Sequence, residues 1–229
     1  MKWRADELAA IVRGECFATP DIEVTGISTD SRAVAPGDLF VAITGETFDG
    51  SQFAAQAMES GAPLVLSSRR LEQPCIVVRD TIAALGDIAR AHLQSLPNCR
   101  VIALTGSSGK TSTKDLVAQV LEHAGPTVAT QASFNNEIGL PRTVLMADAA
   151  TKFLVLEMGM RGAGQIADLC RIAPPDVAVV LNVGSAHAGV IGTRDDTAAG
   201  KGEIISALHS DGTAIINADD GFAGYFRGL

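Results

Sequence analysis

Residues 101–123 read VIALTGSSGKTSTKDLVAQVLEH. Val101 to Leu104 is a continuous apolar run, as expected of a strand buried on both faces in a parallel sheet. A glycine turn follows, Thr105-Gly106-Ser107-Ser108-Gly109-Lys110-Thr111-Ser112, and Thr111 to His123 then has the spacing of an amphipathic helix. Strand, glycine turn and helix in that order make a phosphate cradle. Glycines let backbone N–H groups approach an anion, and the helix N-terminus adds partial positive charge. Lys110 is placed to reach terminal phosphates, and the Thr111 hydroxyl to ligate Mg²⁺. The spacing departs from the general phosphate-loop pattern, because only Ser107 and Ser108 stand between Gly106 and Gly109. A plain glycine turn entering a helix is the competing reading.

The same texture continues downstream. Phe153 to Leu156, Val177 to Leu181 and Ala214 to Ile216 are further apolar runs, expected as strands buried on both faces, and Gly164 to Ile172 and Asp195 to Leu208 read as helices between them. This predicts a doubly wound, mostly parallel α/β domain over residues 99–229. Upstream, Ala5 to Val12 reads as a helix with Gly14 at its C-terminal cap. Short strands follow at Glu23 to Ile27, Asp38 to Ile43, Leu64 to Leu66 and Ile76 to Val78. Pro36-Gly37, Asp49-Gly50 and Gly61-Ala62-Pro63 break them, and helices are expected over Gln52 to Ser60 and Thr81 to Leu96. Residues 1–98 are therefore expected to form a separate, small α/β domain that ends near Pro97.

Composition narrows the class. The 229 residues carry 18 Lys+Arg against 26 Asp+Glu, a net charge of −8, which opposes a basic stripe tracking a nucleic-acid backbone. With 47% apolar residues the chain is able to fill a core. The four cysteines, Cys16, Cys75, Cys99 and Cys170, form no C-x-x-C pair and are expected as reduced thiols rather than zinc ligands or disulfides. No run approaches the roughly 18 apolar residues that span a bilayer, and the N-terminus lacks a leader pattern. A cytoplasmic, unexported protein is expected.

Other residues with chemical potential sit at strand ends. Glu157 closes the Phe153 strand, where a carboxylate is able to hold a magnesium ion beside nucleotide phosphates, though taken alone it reads as a solvated strand end. His187 follows the Val177 strand in a loop and gains meaning only with company. Lys201, within Gly200-Lys201-Gly202-Glu203, reads alone as an exposed helix lysine. The loop Asn135-Asn136-Glu137-Ile138-Gly139-Leu140-Pro141 fits either an Asx turn or a set of amides offered to phosphate and metal.

Taken in order, six segments resemble the central domain of the Mur ligases. They are the Thr105 to Thr111 loop, the Asn135 to Pro141 loop, Leu156-Glu157-Met158-Gly159, Ala186-His187, Lys201-Gly202-Glu203 and Asn217-Ala218-Asp219-Asp220. Upstream, Ser28-Thr29-Asp30-Ser31-Arg32, Pro36 to Ala42 and Gly45 to Gly50 are similar to the family's UDP-binding N-terminal domain. The resemblance implies ATP-dependent amide formation through an acyl phosphate. Within the family it is nearest to the member that joins D-alanyl-D-alanine to UDP-N-acetylmuramoyl-tripeptide in peptidoglycan precursor synthesis. It implies ATP and two Mg²⁺, held by Thr105 to Ser112 with Asn135 and Asn136, and by Thr111, Glu157 and His187. Lys110, Lys201 and His187 are implied as the catalytic set, with Lys201 at the position of a lysine that is typically carbamylated and so becomes an anionic metal ligand. Asp30, Ser31, Arg32, Glu46, Thr47, Phe48 and Asp49 are implied around the uridine diphosphate.

Mur ligases carry a further C-terminal Rossmann-like domain that closes over ATP, and this chain is expected to lack it together with the end of the central domain. A fragment that binds UDP-muropeptide and weakly binds ATP, with little turnover and an exposed sheet edge, is the resulting expectation; the full-length protein is expected to be a monomer. A ligase adding a diamino acid, a nucleotide-binding module without catalysis and a purely structural α/β domain are the alternatives.

Overall fold

In the first unit, Met1–His92, the strands are short and the turns tight. The computed structural model describes residues 2–45, 49–184 and 192–229. Strand β1 (Trp3–Arg4) leads into helix α1 (Ala5–Val12), then β2 (Glu15–Phe17), β3 (Glu23–Val24), β4 (Gly26–Ser28) and β5 (Asp38–Val41). A 3-10 turn at Gly50–Phe53 opens α2 (Ala54–Glu59), followed by β6 (Leu64–Ser67), β7 (Cys75–Val77) and α3 (Thr81–Gln94). The main sheet has the order β2-β7-β6-β5-β4, with β4 to β7 mutually parallel and β2 antiparallel to β7. The carboxyl ends of β4 and β5 therefore point the same way, and the segments that leave them carry Asp30 to Arg32 and Asp49. The expected strand Glu23 to Ile27 is two strands, because the segment changes partner at Thr25: β3 pairs antiparallel with β1, whereas β4 pairs parallel with β5 in the main sheet. Helix α1 ends on Arg13, not Gly14: Arg13 itself takes the left-handed conformation, at φ 52°.

The second unit, Leu93–Leu229, follows the alternation read from the sequence. It runs β8 (Arg100–Thr105), α4 (Lys110–Glu122), β9 (Thr127–Ala129), α5 (Gly139–Val144), β10 (Phe153–Glu157), α6 (Gln165–Ile172), β11 (Val177–Val180), α7 (Arg194–Ser206), β12 (Thr213–Ile216) and α8 (Ala223–Phe226). All five strands are parallel, in the order β12-β11-β8-β10-β9. Leu104, Leu154, Val155 and Leu156 are fully buried, as continuous apolar runs in a helix-covered sheet must be. Strand β12 is the exception to the expected burial. It pairs only with β11 at the sheet edge, and Ile215 is 50% exposed, since an edge strand has a neighbour on one side alone.

Strand β8 lies at the centre. The chain first fills the side holding β10 and β9, then the side holding β11 and β12. Such an arrangement leaves a crevice outside the carboxyl end of the central strand. No helix among the described residues is long and apolar enough to cross a membrane.

Candidate functional site

The loop that leaves β8 enters α4 through Gly109, which sits at φ 78°, a left-handed conformation that a side chain would strain. No side chain caps α4, and the Lys110 ammonium folds back to donate to the Gly106 carbonyl at 2.9 Å. The amides of Ser107 and Ser108 donate to the Asn182 side-chain oxygen, each at 3.1 Å. Ser112 is exposed on the first turn of α4.

Glu157 is not a solvated strand end: it is 1% exposed. Its register opposite Leu104 puts it at the mouth of the phosphate loop, where its Oε2 accepts from the Thr111 hydroxyl at 2.9 Å. Its Oε1 accepts from Asn135 Nδ2 at 2.7 Å, and its own N–H donates to the Thr130 hydroxyl at 3.0 Å. Asn136 turns inward on its own loop, its Oδ1 accepting from the Gly139 N–H at 2.9 Å, as an Asx turn does. The geometry thus joins Thr111, Asn135 and Glu157, which the sequence placed in three separate motifs.

Lys110 and Asn135 also border a cavity of about 340 Å³, lined by Gly106, Thr197 and Lys201 among others. Lys201 is buried, 4% exposed, rather than on a solvated helix face. No carboxylate lies within ion-pairing distance of it among the described residues. Burial first and the nearby charge of Lys110 second lower its pKa from 10.5 to about 8. Two lysines that repel each other across one cavity suit an anion between them.

Because the folded pKa is depressed, the buried ammonium costs stability wherever both states are protonated, below about pH 8. The cost fades as pH rises toward the unfolded value of 10.5. The full shift converts to about 3 kcal/mol, and solvent screening of a group that borders an open cavity reduces this to about 2 kcal/mol. Lys201→Met is therefore expected to raise the melting temperature by about 4–8 °C at pH 7 in bicarbonate-free buffer. The gain should shrink by pH 10; an equal gain at both pH values would refute a titrating origin.

In the first unit, Arg32 forks onto Asp30 through Nε at 2.9 Å and Nη2 at 2.8 Å, and Ser31 donates to Gln56 at 3.0 Å. Asp49 accepts from the Ser51 N–H at 2.9 Å and stands 3.5 Å from the Arg69 guanidinium. Glu46, Thr47, Phe48 and His187 lie outside the described residues.

Sequence reasoning missed three residues that shape the second unit's site: Asn182, Thr130 and Lys114. Lys114 is 4% exposed and donates to the Thr130 carbonyl at 2.7 Å, which ties α4 to the chain leaving β9. Its position in line with Ala118 and Leu121 on the inward stripe of α4 was the available signal. For Asn182 it was the place directly beyond β11, at the carboxyl edge of the sheet.

A model of the Mur ligase middle domain matches residues 104–228, and one described as Mur ligase family, catalytic domain, matches residues 23–93. The chain belongs to the Mur ligase family. Among curated members, the Mycobacterium leprae UDP-N-acetylmuramoyl-tripeptide--D-alanyl-D-alanine ligase is 45% identical over 223 residues, covering 86% of this chain and 43% of the relative. Among solved structures, MurF from Acinetobacter baumannii superimposes with a TM-score of 0.94 at 34% identity, over 100% of this chain and 51% of that one. MurF ligase from Thermotoga maritima in complex with ADP gives a TM-score of 0.81 at 36% identity, over 90% and 48%. The chain spans about half the length of these Mur ligases.

Proposed function

We propose that this chain carries the substrate-binding and nucleotide-binding part of an ATP-dependent ligase that joins D-alanyl-D-alanine to UDP-N-acetylmuramoyl-tripeptide, in the cytoplasm. The observation that carries the reading is the placement of Lys110 and Lys201 on one cavity at the carboxyl end of the central strand, with Asn135, which lines the same cavity, bonded to the Glu157 carboxylate that holds Thr111. A carboxylate is a poor acyl donor, so it is first phosphorylated, and the dipeptide amine then displaces phosphate through a tetrahedral intermediate. Phosphorylation brings two anions together, and the barrier falls most where fixed cations already stand. Lys110 is placed for the phosphates. Lys201, across the same cavity, is placed for the incoming carboxylate or the transferring phosphoryl group.

The oxygen set of Thr111 and Glu157, with a buried carboxylate beside a hydroxyl, fits a hard divalent cation such as Mg²⁺. Bound there, the ion would offset phosphate charge. Asn135 orients the carboxylate for that task through its 2.7 Å bond. Lys201, with its pKa near 8, has a share of neutral amine near neutral pH, the form that reacts with carbon dioxide to give a carbamate. In the first unit Asp30, Ser31, Arg32 and Asp49 are the proposed contacts of the uridine diphosphate, together with Glu46, Thr47 and Phe48. His187 completes the proposed metal set.

Calorimetric titration with UDP-N-acetylmuramoyl-tripeptide, with UDP alone and with each in the presence of Mg-ATP, tests the reading. Binding that requires the uridine and strengthens with the peptide is expected. Nucleotide binding without any uridine-dependent binding would favour a nucleotide module instead.

A further inference from the structure

The phosphate loop offers fewer free donors than its sequence promises. The Ser107 N–H is shared between the backbone carbonyl and the side-chain Oδ1 of Asn182, both at 3.1 Å, and the Ser108 N–H also points to that Oδ1 at 3.1 Å. Asn182 Nδ2 returns a hydrogen bond to the Ser108 carbonyl at 3.1 Å, which closes a ring between side chain and loop. The Ser107 hydroxyl in turn accepts from the Gly184 N–H at 2.9 Å. Packing supports the same anchor, since a Cβ on Gly106 would lie 2.9 Å from Leu181 Cβ. By contrast, the N–H groups of Gly109, Lys110, Thr111 and Ser112 have no acceptor among the described residues.

We propose that Asn182 is the positioning residue of the phosphate loop. Its carboxamide staples Ser107 and Ser108 to the chain beyond β11, and a phosphate is met by the amides of Gly109 to Ser112 together with Lys110. The inference rests on the nucleotide reading above. Asparagine suits this place because one planar group supplies an acceptor for two N–H groups and a donor for a carbonyl. Aspartate keeps the acceptor but faces the Ser108 carbonyl with a second oxygen. Alanine keeps the backbone carbonyl for the Ser107 N–H but removes the side-chain partners of the Ser108 N–H and carbonyl.

The test is amide hydrogen exchange and amide resonance shifts on the whole chain, titrated with Mg-ATP. Without nucleotide, Ser107 and Ser108 are expected to exchange at least about tenfold more slowly than Lys110 and Thr111. Mg-ATP should move the resonances of Gly109 to Ser112 and leave those of Ser107 and Ser108 nearly in place. Asn182→Ala should erase the protection of the Ser108 amide, lower that of Ser107, which keeps the backbone carbonyl at position 182, and weaken Mg-ATP about tenfold, with UDP affinity unchanged. Asn182→Asp should restore the protection. The proposal is overturned if the serine amides shift as strongly as Lys110 and Thr111, or exchange as fast as they do in the wild-type chain, a result that needs no variant to fold. It is equally overturned if Asn182→Ala leaves the protection of the Ser108 amide intact. Should no amide respond to Mg-ATP, the nucleotide reading fails, and the exchange rates still decide whether Asn182 anchors the loop.

Discussion

Lys110→Ala is expected to weaken Mg-ATP binding by about 100-fold or more while leaving the fold intact. Each charge-assisted hydrogen bond to phosphate is worth about 1.5–3 kcal/mol, and a lysine at the mouth of a helix N-terminus makes at least one such bond. With the loss of the helix-end field's partner cation, a total near 3 kcal/mol corresponds to about two orders of magnitude in affinity. The folded state loses little. Among the described residues Lys110 makes one hydrogen bond, to the Gly106 carbonyl, and its charge opposes that of Lys201. A melting temperature within a few degrees of the wild type is therefore expected, and titration of both proteins with Mg-ATP checks the affinity. If affinity fell by less than threefold, the loop would be a glycine turn and the structural α/β reading would return.

Gly139→Ala is expected to be the most damaging small substitution at the site. A Cβ there would lie 2.5 Å from Phe134 Cα and 2.6 Å from its carbonyl carbon. Both are backbone atoms, so no rotamer relieves the clash and the segment must move. Overpacking of this kind costs up to about 3 kcal/mol, which corresponds to roughly 6–12 °C in melting temperature for a chain of this size. The displaced segment holds the Asn136 turn and the Asn135 bond to Glu157, so nucleotide affinity should fall with stability. Gly224→Ala is the control: nothing lies within 4 Å of a Cβ there, and it sits in a helix, so a slight gain is expected. Similar melting temperatures for the two variants would refute the close-approach argument.

The alternation of strand, turn and helix was legible because each buried strand announces itself as a continuous apolar run, and β8, β10 and β11 have no competing pattern. Strand β9 was not, since three residues after Pro126 carry too little pattern to stand out. The burial of β12 was misread for a related reason, because an edge strand and a central one share the same apolar residues and differ only in neighbours. At the site, residue types and order were readable, whereas environments were not. Glu157 becomes a buried, triply bonded group only through the β8–β10 register and the loop after β9. Lys201 is buried by the packing of α7 on α6, to which the flanking Gly200 and Gly202 were the only clue. Asn182 acts through a loop that lies far away in sequence, a relation no local pattern encodes.

That distance has a consequence for how the protein comes to life. Asn182 and Ser107 are 75 residues apart, and Lys201 enters the cavity still later in the chain. A ribosome delivers the phosphate loop long before the residues that fix it. Nucleotide stabilises only chains that already bind it, so ATP should rescue completed second units and do nothing for shorter nascent ones. Pulse-labelled chains stalled before residue 182 should be digested by protease equally fast with and without Mg-ATP.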